Sequence, residues 1–296
     1  MLNSARWPRL TDLFVDSGPA EVAVIGAPLV LKSVTPARYE LAPDAVRTAM
    51  RRFSTYDVET GRELSLRLKD FGDLPVKELT PENAFGRIRD MVRRCVWQHP
   101  LSILLGGHNG VTRPAANGLG VPLNEVGLIT LDAHFDLRDT GQGLMNGNPI
   151  RALLEDGLPG RNICQIGLSP YANTRSMHET AKESGIAVHT IRDCRRRGIM
   201  NVLEEAFAGL SHCEAIMVDF DIDVIDRSQC PGAPGARPGG MPVDMFFEAA
   251  RFLAAQPKVR LVDLTEFDPA SDVGEITALT AGRWVCEVLA GFSERG

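Results

Sequence analysis

The stretch that decides the fold is Val126–Leu131, VGLITL, which runs directly into Asp132-Ala133-His134-Phe135-Asp136. Its residues are nearly all apolar rather than alternating, and a strand of that kind is buried on both faces of a parallel sheet. Side chains that can ligate metal then follow at alternate positions, so in extended backbone they share one face. The stretch predicts a central parallel strand with a chemical site at its carboxyl end.

A second stretch has the same design. Ala215–Val218 is apolar and runs into Asp219-Phe220-Asp221-Ile222-Asp223, again with carboxylates at alternate positions. Any one Asp at a strand end is as readily a helix N-cap or an Asx-turn. Carboxylates gathered at two strand ends, however, would raise one another's pKa unless cations neutralise them. Oxygen ligands with one or two imidazoles suit Mn²⁺, so we expect divalent metal between the two strand ends.

Short apolar stretches of this kind recur along the chain and predict further strands at Val22–Ile25, Ser102–Leu105, Ile163–Ile166, Ile186–His189 and Arg260–Leu264. Amphipathic segments lie between them. They predict helices at Asp44–Phe53, Pro149–Glu155, Val202–Phe207, Asp244–Ala254 and Thr280–Leu289, and one that begins at Thr80-Pro81-Glu82. This alternation predicts a three-layer α/β/α fold whose ligands bind beyond the carboxyl ends of the strands.

Composition limits the classes of function. The chain has 296 residues and a formal net charge of -6, and no linker or repeat divides it, so we expect a single domain over residues 1–296. Scattered Lys and Arg argue against nucleic-acid binding, and the run Arg195–Arg197 is typical of a solvated face. We expect a cytoplasmic protein without membrane association, since no apolar run reaches ~18 residues and no leader is evident. Its six cysteines lack a C-x-x-C pair, which argues against a zinc knuckle or a disulfide framework.

The predicted strand Ser102–Leu105 ends in a glycine loop, Gly106-Gly107-His108-Asn109-Gly110. These glycines permit close backbone approach to a ligand, although a dinucleotide or phosphate turn has the same feature. After the first strand the chain reads Gly26-Ala27-Pro28 instead of Gly-x-Gly-x-x-Gly. A Rossmann cofactor site is therefore disfavoured.

Together these motifs resemble the ureohydrolase superfamily, which includes arginase, agmatinase and formimidoylglutamase, over nearly the whole chain. The most specific matches are Asp132–Asp136 and Asp221-Ile222-Asp223 followed by Asp226. Further matches are Ile25–Pro28, Ala42–Arg47, Asp70–Asp73, Cys230–Gly232, Pro238–Gly240 and Thr265–Pro269. The resemblance implies an arginase-like fold with a mainly parallel, roughly eight-stranded sheet. It also implies a homo-oligomer, either a trimer or a hexamer.

The resemblance further implies two Mn²⁺ ions bridged by a hydroxide that attacks the central carbon of a guanidinium or amidine. Ni²⁺, or a single ion, stays an open alternative. One ion would be held by Asp132, Asp136 and Asp221, and the other by Asp132, His134, Asp221 and Asp223. Two metals lower the pKa of a shared water and supply a nucleophile at neutral pH. Asp136 would orient this hydroxide, and Glu266 would pair with the planar cation of the substrate.

The sequence departs from the family pattern twice, and both departures fall on the site. Asn109 stands where the family has a His ligand of the first metal, while His108 lies one position early and could ligate only if the loop is shifted. An amide oxygen is a weaker ligand than imidazole. Asn146, expected at the substrate, stands where arginase- and agmatinase-like members have a proton-shuttling His. Because an amide cannot titrate, that role is empty or filled elsewhere.

Asp136-Leu137-Arg138 and the segment Asn146–Arg151 resemble formimidoylglutamase most. Arg138 would bind a substrate carboxylate bidentately, or else support the Asp cluster. We therefore expect a hydrolase that cleaves a C–N bond of a linear amidine or guanidine bearing a carboxylate, with N-formimidoyl-glutamate as the first candidate. The alternatives are an agmatinase or guanidino-acid hydrolase releasing urea, of which Arg138 disfavours agmatine, and a metal-depleted, non-catalytic family member.

Overall fold

A parallel sheet of eight strands forms the centre of the structure, a computed structural model that describes residues 7–295. In chain order the strands are β1 (Val22–Ala27), β2 (Tyr56–Asp57), β3 (Arg62–Glu63), β4 (Leu68–Asp73), β5 (Leu101–Gly106), β6 (Val126–Leu131), β7 (Ile163–Leu168), β8 (Ala187–Thr190), β9 (Ala215–Asp221) and β10 (Val259–Thr265). The large sheet has the order β4-β1-β5-β10-β9-β6-β7-β8, and β2 and β3 form a separate hairpin. The predicted α/β fold with a mainly parallel sheet is confirmed.

Helices cover both faces of this sheet. They are α1 (Ala42–Met50), α2 (Pro81–Gln98), α3 (Thr112–Asn117), α4 (Pro149–Asp156), α5 (Arg175–Ser184), α6 (Ile191–Arg197), α7 (Ile199–Gly209), α8 (Val243–Ala254) and α9 (Ile276–Ser293). One apolar core lies between the sheet and α1 with α6 to α9, and the other lies between the sheet and α2 to α5. The molecule therefore has three layers, as the alternating sequence pattern predicted.

Five of the six inner strands are buried along their whole length, and this is why their sequences do not alternate. Every residue of β1, β5, β6, β7 and β9 is buried. The edge strands β4 and β8 are partly exposed. Two-sided burial favours continuous apolar runs, so the sequence identified the central strands better than the edges.

Helix α2 shows how the sequence sets an element and its face. It begins at Pro81 as predicted, where the fixed φ of proline suits the first helical position, although the Thr80 side chain makes no capping hydrogen bond. Ile88 and Val92 on its inner face are fully buried, and each such aliphatic side chain contributes about 1.5–3 kcal/mol. No helix of the described residues combines the length and apolar character needed to cross a membrane.

The strand order places the site. β6 and β9 are neighbours in register, with Leu131 opposite Phe220, so the carboxylates that follow them emerge side by side. β10 lies on the other side of β9, with Thr265 opposite Asp221, and its other neighbour is β5. The carboxyl ends of these four strands meet at one edge of the sheet, where ligands of open α/β folds bind.

Candidate active site

The ends of β6 and β9 bring Asp132, His134 and Asp223 together, each offering one ligand atom within 4.8 Å of the others. His134 Nδ1 lies 3.0 Å from Asp223 Oδ2 and 3.4 Å from Asp132 Oδ1. The backbone N–H of His134 donates to Asp132 Oδ1 at 2.6 Å, which fixes the turn after β6. Among residues 7–295 no other group of acidic, His and Cys side chains has this arrangement. Three of the four ligands expected for the second metal therefore converge.

The remaining carboxylates, Asp136 and Asp221, flank this group and are buried. Asp221 Oδ1 accepts from the N–H of Asp223 at 2.8 Å, so it forms the local Asx-type turn as well as facing the cleft. Asp136 has a φ of +52°, a left-handed conformation that Asp tolerates better than most residues. Such strained backbone is typical of functional sites, because the surrounding structure must impose it.

Electrostatics within the cluster indicate that it needs positive charge. Burial and then the neighbouring Asp132 carboxylate raise the pKa of Asp136 well above its usual value, and burial with Asp223 does the same for Asp221. Burial and Asp223 raise the pKa of Asp132 to about 6. The attraction of Asp223 raises the pKa of His134 to about 12, and a metal ion bound in the cluster would take the place of the proton on this ring. The carboxylates of this cluster attract cations. A set of oxygen ligands with one imidazole fits a divalent ion such as Mn²⁺.

The glycine loop after β5 meets this cluster through Asn109, which is 1% exposed. Its amide nitrogen Nδ2 donates to Asp136 Oδ2 at 2.6 Å, and its backbone N–H donates to Glu266 Oε1 at 2.7 Å. Its amide oxygen accepts from the hydroxyls of Thr112 at 2.6 Å and Thr265 at 3.3 Å. In this arrangement Asn109 acts towards the cluster as a hydrogen-bond donor rather than as the oxygen ligand expected from the sequence.

His108 lies on the other side of the loop and is completely buried. Its Nε2 is 2.8 Å from the carbonyl oxygen of Leu31, and its Nδ1 accepts from the N–H of Gly110 at 3.0 Å. Burial lowers the pKa of His108 to about 4, so the ring is neutral. Both ring nitrogens are engaged by backbone, which corrects the expectation that a shifted loop would offer His108 to a metal.

Glu266 follows β10 and faces the cleft from the side opposite β6. It has a φ of +61° and is 4% exposed. Its Oε1 accepts from the Asn109 backbone and from Asn146 Nδ2 at 3.0 Å, while Asn146 Oδ1 accepts from the N–H of Val34 at 2.7 Å. Burial raises the pKa of Glu266 to about 7. Asn146 therefore ties a covering loop to Glu266, a role that needs no titration.

A cleft of about 180 Å³ joins these parts. Its lining includes His134, Asp221, Asp223, Glu266, Asn146 and Arg138, all predicted from the sequence. It also includes Tyr39 and Arg237, which sequence reasoning missed. The only signal for Arg237 was its position beside the Gly/Pro motif Pro238–Gly240. Tyr39 carried no signal at all, since only folding brings it to the cleft.

Comparison with known proteins agrees with this geometry. The model of the arginase family matches residues 20–291. A formimidoylglutamase of Halalkalibacterium halodurans is 32% identical over 277 residues, covering 90% of this chain and 86% of that protein. The crystal structure of Bacillus subtilis formimidoylglutamase has a TM-score of 0.93 at 26% identity, covering 100% of this chain and 95% of that one. Trypanosoma cruzi formiminoglutamase, solved with two Mn²⁺ ions, has a TM-score of 0.89 at 23% identity, covering 98% and 99%. The chain therefore belongs to the arginase family, the group that its strand-end motifs resemble.

Proposed function

We propose that this protein is a binuclear metal hydrolase that cleaves N-formimidoyl-glutamate with water to glutamate and formamide. The observation that carries the proposal is a single cleft that holds a metal-type acidic cluster, a carboxylate for an amidinium and a guanidinium for a carboxylate. Glu266 supplies the second of these groups and Arg138 the third. The names of the matched relatives support the same substrate.

The proposed ligands are those that the family resemblance implies, and the geometry of the cluster supports part of the set. Asp132, His134, Asp221 and Asp223 would hold one ion, and Asp132, Asp136 and Asp221 the other. When bound, such a pair lowers the pKa of a shared water and supplies hydroxide at neutral pH. The first set contains the three ligand atoms that lie within 4.8 Å. The second lacks an imidazole, because Asn109 presents an amide N–H to Asp136.

The chain's own residues orient the substrate. Glu266 accepts hydrogen bonds from the amidinium, and charge-assisted bonds of this kind are about twice as strong as neutral ones. Its carboxylate is already held by the Asn109 backbone and by Asn146, so little entropy is lost when the substrate binds. The amidinium charge favours the ionised form of Glu266, whose pKa burial raises to about 7.

A substrate panel tests this proposal. Purified protein is loaded with Mn²⁺, Ni²⁺ or Co²⁺ and assayed with N-formimidoyl-glutamate, guanidino acids and agmatine. We expect formamide and glutamate as products with the highest kcat/KM for the formimidoyl compound, and no turnover of agmatine. Preferential release of urea from a guanidino acid would instead establish the second candidate, which Arg138 also suits. No turnover with any metal would establish the non-catalytic alternative.

Glu266→Gln sharpens this assay, because the amide oxygen of Gln still accepts from the Asn109 backbone while the charge is removed. We expect kcat/KM to fall by about 100-fold, as for the loss of one electrostatic partner of a transition state. Glu248→Gln, on the solvent-exposed side of α8, is the matched control and should keep full activity. Equal activity of both variants with the wild type would remove Glu266 from the mechanism.

The proposal also includes manganese as the resident ion, a cytoplasmic location and a trimer or hexamer. All six cysteines are free, which is typical of proteins in a reducing compartment. Light scattering coupled to gel filtration tests the assembly, and a monomer at micromolar concentration would contradict that part.

A further inference from the structure

Two guanidinium groups line the cleft, those of Arg138 and Arg237. Two such groups define the substrate more narrowly than a single guanidinium would. We propose that Arg138 and Arg237 each bind one carboxylate of a dicarboxylate substrate, so that the cleft selects an amidine with two carboxylates over an amidine with one. The inference rests on the proposed function and deepens it. It also separates N-formimidoyl-glutamate from the guanidino monoacids, which Arg138 alone would accept.

Arg138 is placed by the loop that follows β6. Its backbone N–H donates to the carbonyl oxygen of Gly147 at 3.1 Å. A Cβ at position 147 would lie 2.7 Å from Cδ and 2.9 Å from Nε of Arg138, so Gly147 leaves room for the conformation that this side chain adopts. Within residues 7–295 the guanidinium makes no ion pair, although five carboxylates lie at or near the same cleft.

Arg237 reaches the cleft from the loop that follows β9. Its Nη1 donates to the carbonyl oxygens of Gly235 at 2.6 Å, Ala236 at 3.2 Å and Pro234 at 3.4 Å, and to no carboxylate among the described residues. These hydrogen bonds use only Nη1 of the Arg237 guanidinium and leave its other two nitrogens, Nε and Nη2, for a ligand. The loop packs closely against the acidic cluster, since a Cβ on Gly235 would lie 1.9 Å from Asp223 Oδ2.

Other arginines of this chain show what a structural guanidinium does. Arg113 forms two hydrogen bonds of 2.7 Å with Asp156, and Arg47 pairs with Asp70 and Asp73. Arg138 and Arg237 are exposed and line a cleft, yet neither has such a partner in the described structure. Because a guanidinium fork matches a carboxylate in shape, two unneutralised forks fit two carboxylates.

The competing explanation is that both arginines only offset the charge of the acidic cluster from a distance. That role would affect every substrate alike, whereas direct pairing links each arginine to one carboxylate. The two explanations are separated by removing groups from the enzyme and from the substrate in the same experiment.

The substrates are N-formimidoyl-glutamate and two compounds that each lack one of its carboxylates. N-formimidoyl-4-aminobutyrate lacks the α-carboxylate, and N-formimidoyl-2-aminobutyrate lacks the γ-carboxylate. The variants are Arg138→Gln and Arg237→Gln, with exposed Arg196→Gln as the matched control. We expect each cleft variant to lower kcat/KM for the diacid by about 10- to 100-fold. Each should leave unchanged the monoacid that lacks its partner carboxylate, and the two variants should spare different monoacids. Arg237→Lys keeps the charge without the fork and should recover only part of the loss.

Equal losses on all three substrates would overturn the inference in favour of a distant charge effect, as would a wild-type enzyme that does not distinguish diacid from monoacids. Calorimetric binding of L-glutamate and 4-aminobutyrate provides a readout without turnover. Tighter binding of glutamate that depends on both arginines supports the dicarboxylate site even if no formimidoyl compound is hydrolysed, an outcome that would contradict the proposed function alone. Binding of glutamate and 4-aminobutyrate with equal affinity would overturn the dicarboxylate site.

Discussion

Two groups of acidic side chains in this protein differ in how their charge is balanced. At the junction of the β2–β3 hairpin with α8 and α9, Arg251 lies 2.5 Å from Asp57 and 3.4 Å from Glu287, which also accepts from Arg283 at 2.6 Å. The hydrogen bond from Arg251 lowers the pKa of Asp57 to about 2. In the cleft, by contrast, burial and mutual repulsion raise the pKa of Asp132, Asp136 and Asp221.

The difference separates a structural role from a functional one. Carboxylates that each face a guanidinium stabilise the fold and need nothing further. Carboxylates gathered around one imidazole repel one another until a cation binds. Such repulsion destabilises the metal-free fold and is typical of functional sites. Charge balance, rather than the number of acidic residues, identifies the site in this chain.

The largest effect should come from removing a ligand in the unbalanced group. His134→Ala and Asp221→Ala should each abolish retention of metal. Each should also lower activity by more than the ~10–100-fold that is typical when a residue hydrogen-bonded to a metal ligand is mutated. Two control variants should retain metal. Asp57→Ala removes the carboxylate that pairs with Arg251, and His212→Ala removes a histidine that is hydrogen-bonded to Asn162. Elemental analysis after desalting measures this, and equal loss in all four variants would show general destabilisation instead.

A smaller effect should follow when a ligand is displaced rather than removed. The new Cβ of Gly235→Ala would fall 1.9 Å from Asp223 Oδ2, so we expect metal affinity to drop by about tenfold or more. Gly86→Ala is the matched control, because nothing lies within 4 Å of its added Cβ on α2. This control should bind metal normally and gain about 0.5–1 kcal/mol of stability. Normal metal affinity in Gly235→Ala would show that the loop yields and does not brace Asp223.

A substitution in the glycine loop should help a second cation to bind and so neutralise the cleft carboxylates. Titration of the wild type should show two classes of metal affinity. Asn109→His should tighten the weaker class several-fold, since it adds an imidazole ligand where the Asn109 amide presents an N–H to Asp136. His108→Ala should keep both ions, while losing about 1–3 kcal/mol because Leu31 and Gly110 lose a buried partner. Loss of an ion from His108→Ala with no change in Asn109→His would show that the loop is shifted by one residue.

The smallest effect belongs to the balanced region. The pKa of Asp57 is lower in the folded state, about 2, than the ~3.9 of an unfolded chain. Its contribution is therefore complete above about pH 4 and is lost as the pH falls through about 2. Asp57→Asn should destabilise the protein by about 0.5–1 kcal/mol at pH 7. Urea unfolding at neutral and acidic pH measures this, and a penalty that does not shrink below pH 4 would show that packing, not charge, was lost.

Sequence patterns predicted the parts that depend on local chemistry. Strand β6 has the bounds expected from Val126–Leu131, because two-sided burial leaves an uninterrupted apolar run. Helix α5 was missed since it buries only Ala181, and α3 and α6 were missed because they are short. The strand-end ligands were found because alternate spacing fixes their common face.

The rest of the site depends on tertiary contacts that no local pattern encodes. The orientation of the Asn109 amide is set by Thr112 and Thr265, of which Thr265 lies more than 150 residues away along the chain. One of the two backbone partners of His108, the carbonyl oxygen of Leu31, comes from a loop far from it along the chain. Arg237 enters the cleft only because its loop folds back over Asp223.

The content of bound manganese tests most directly whether the unbalanced carboxylates form a binuclear centre. The protein is incubated with Mn²⁺, desalted and analysed for metal and protein in the same sample, with Asp221→Ala treated in parallel. A binuclear centre predicts close to two ions per chain in the wild type and a clear loss in the variant. One ion or none per wild-type chain, or the same content in both proteins, would contradict it.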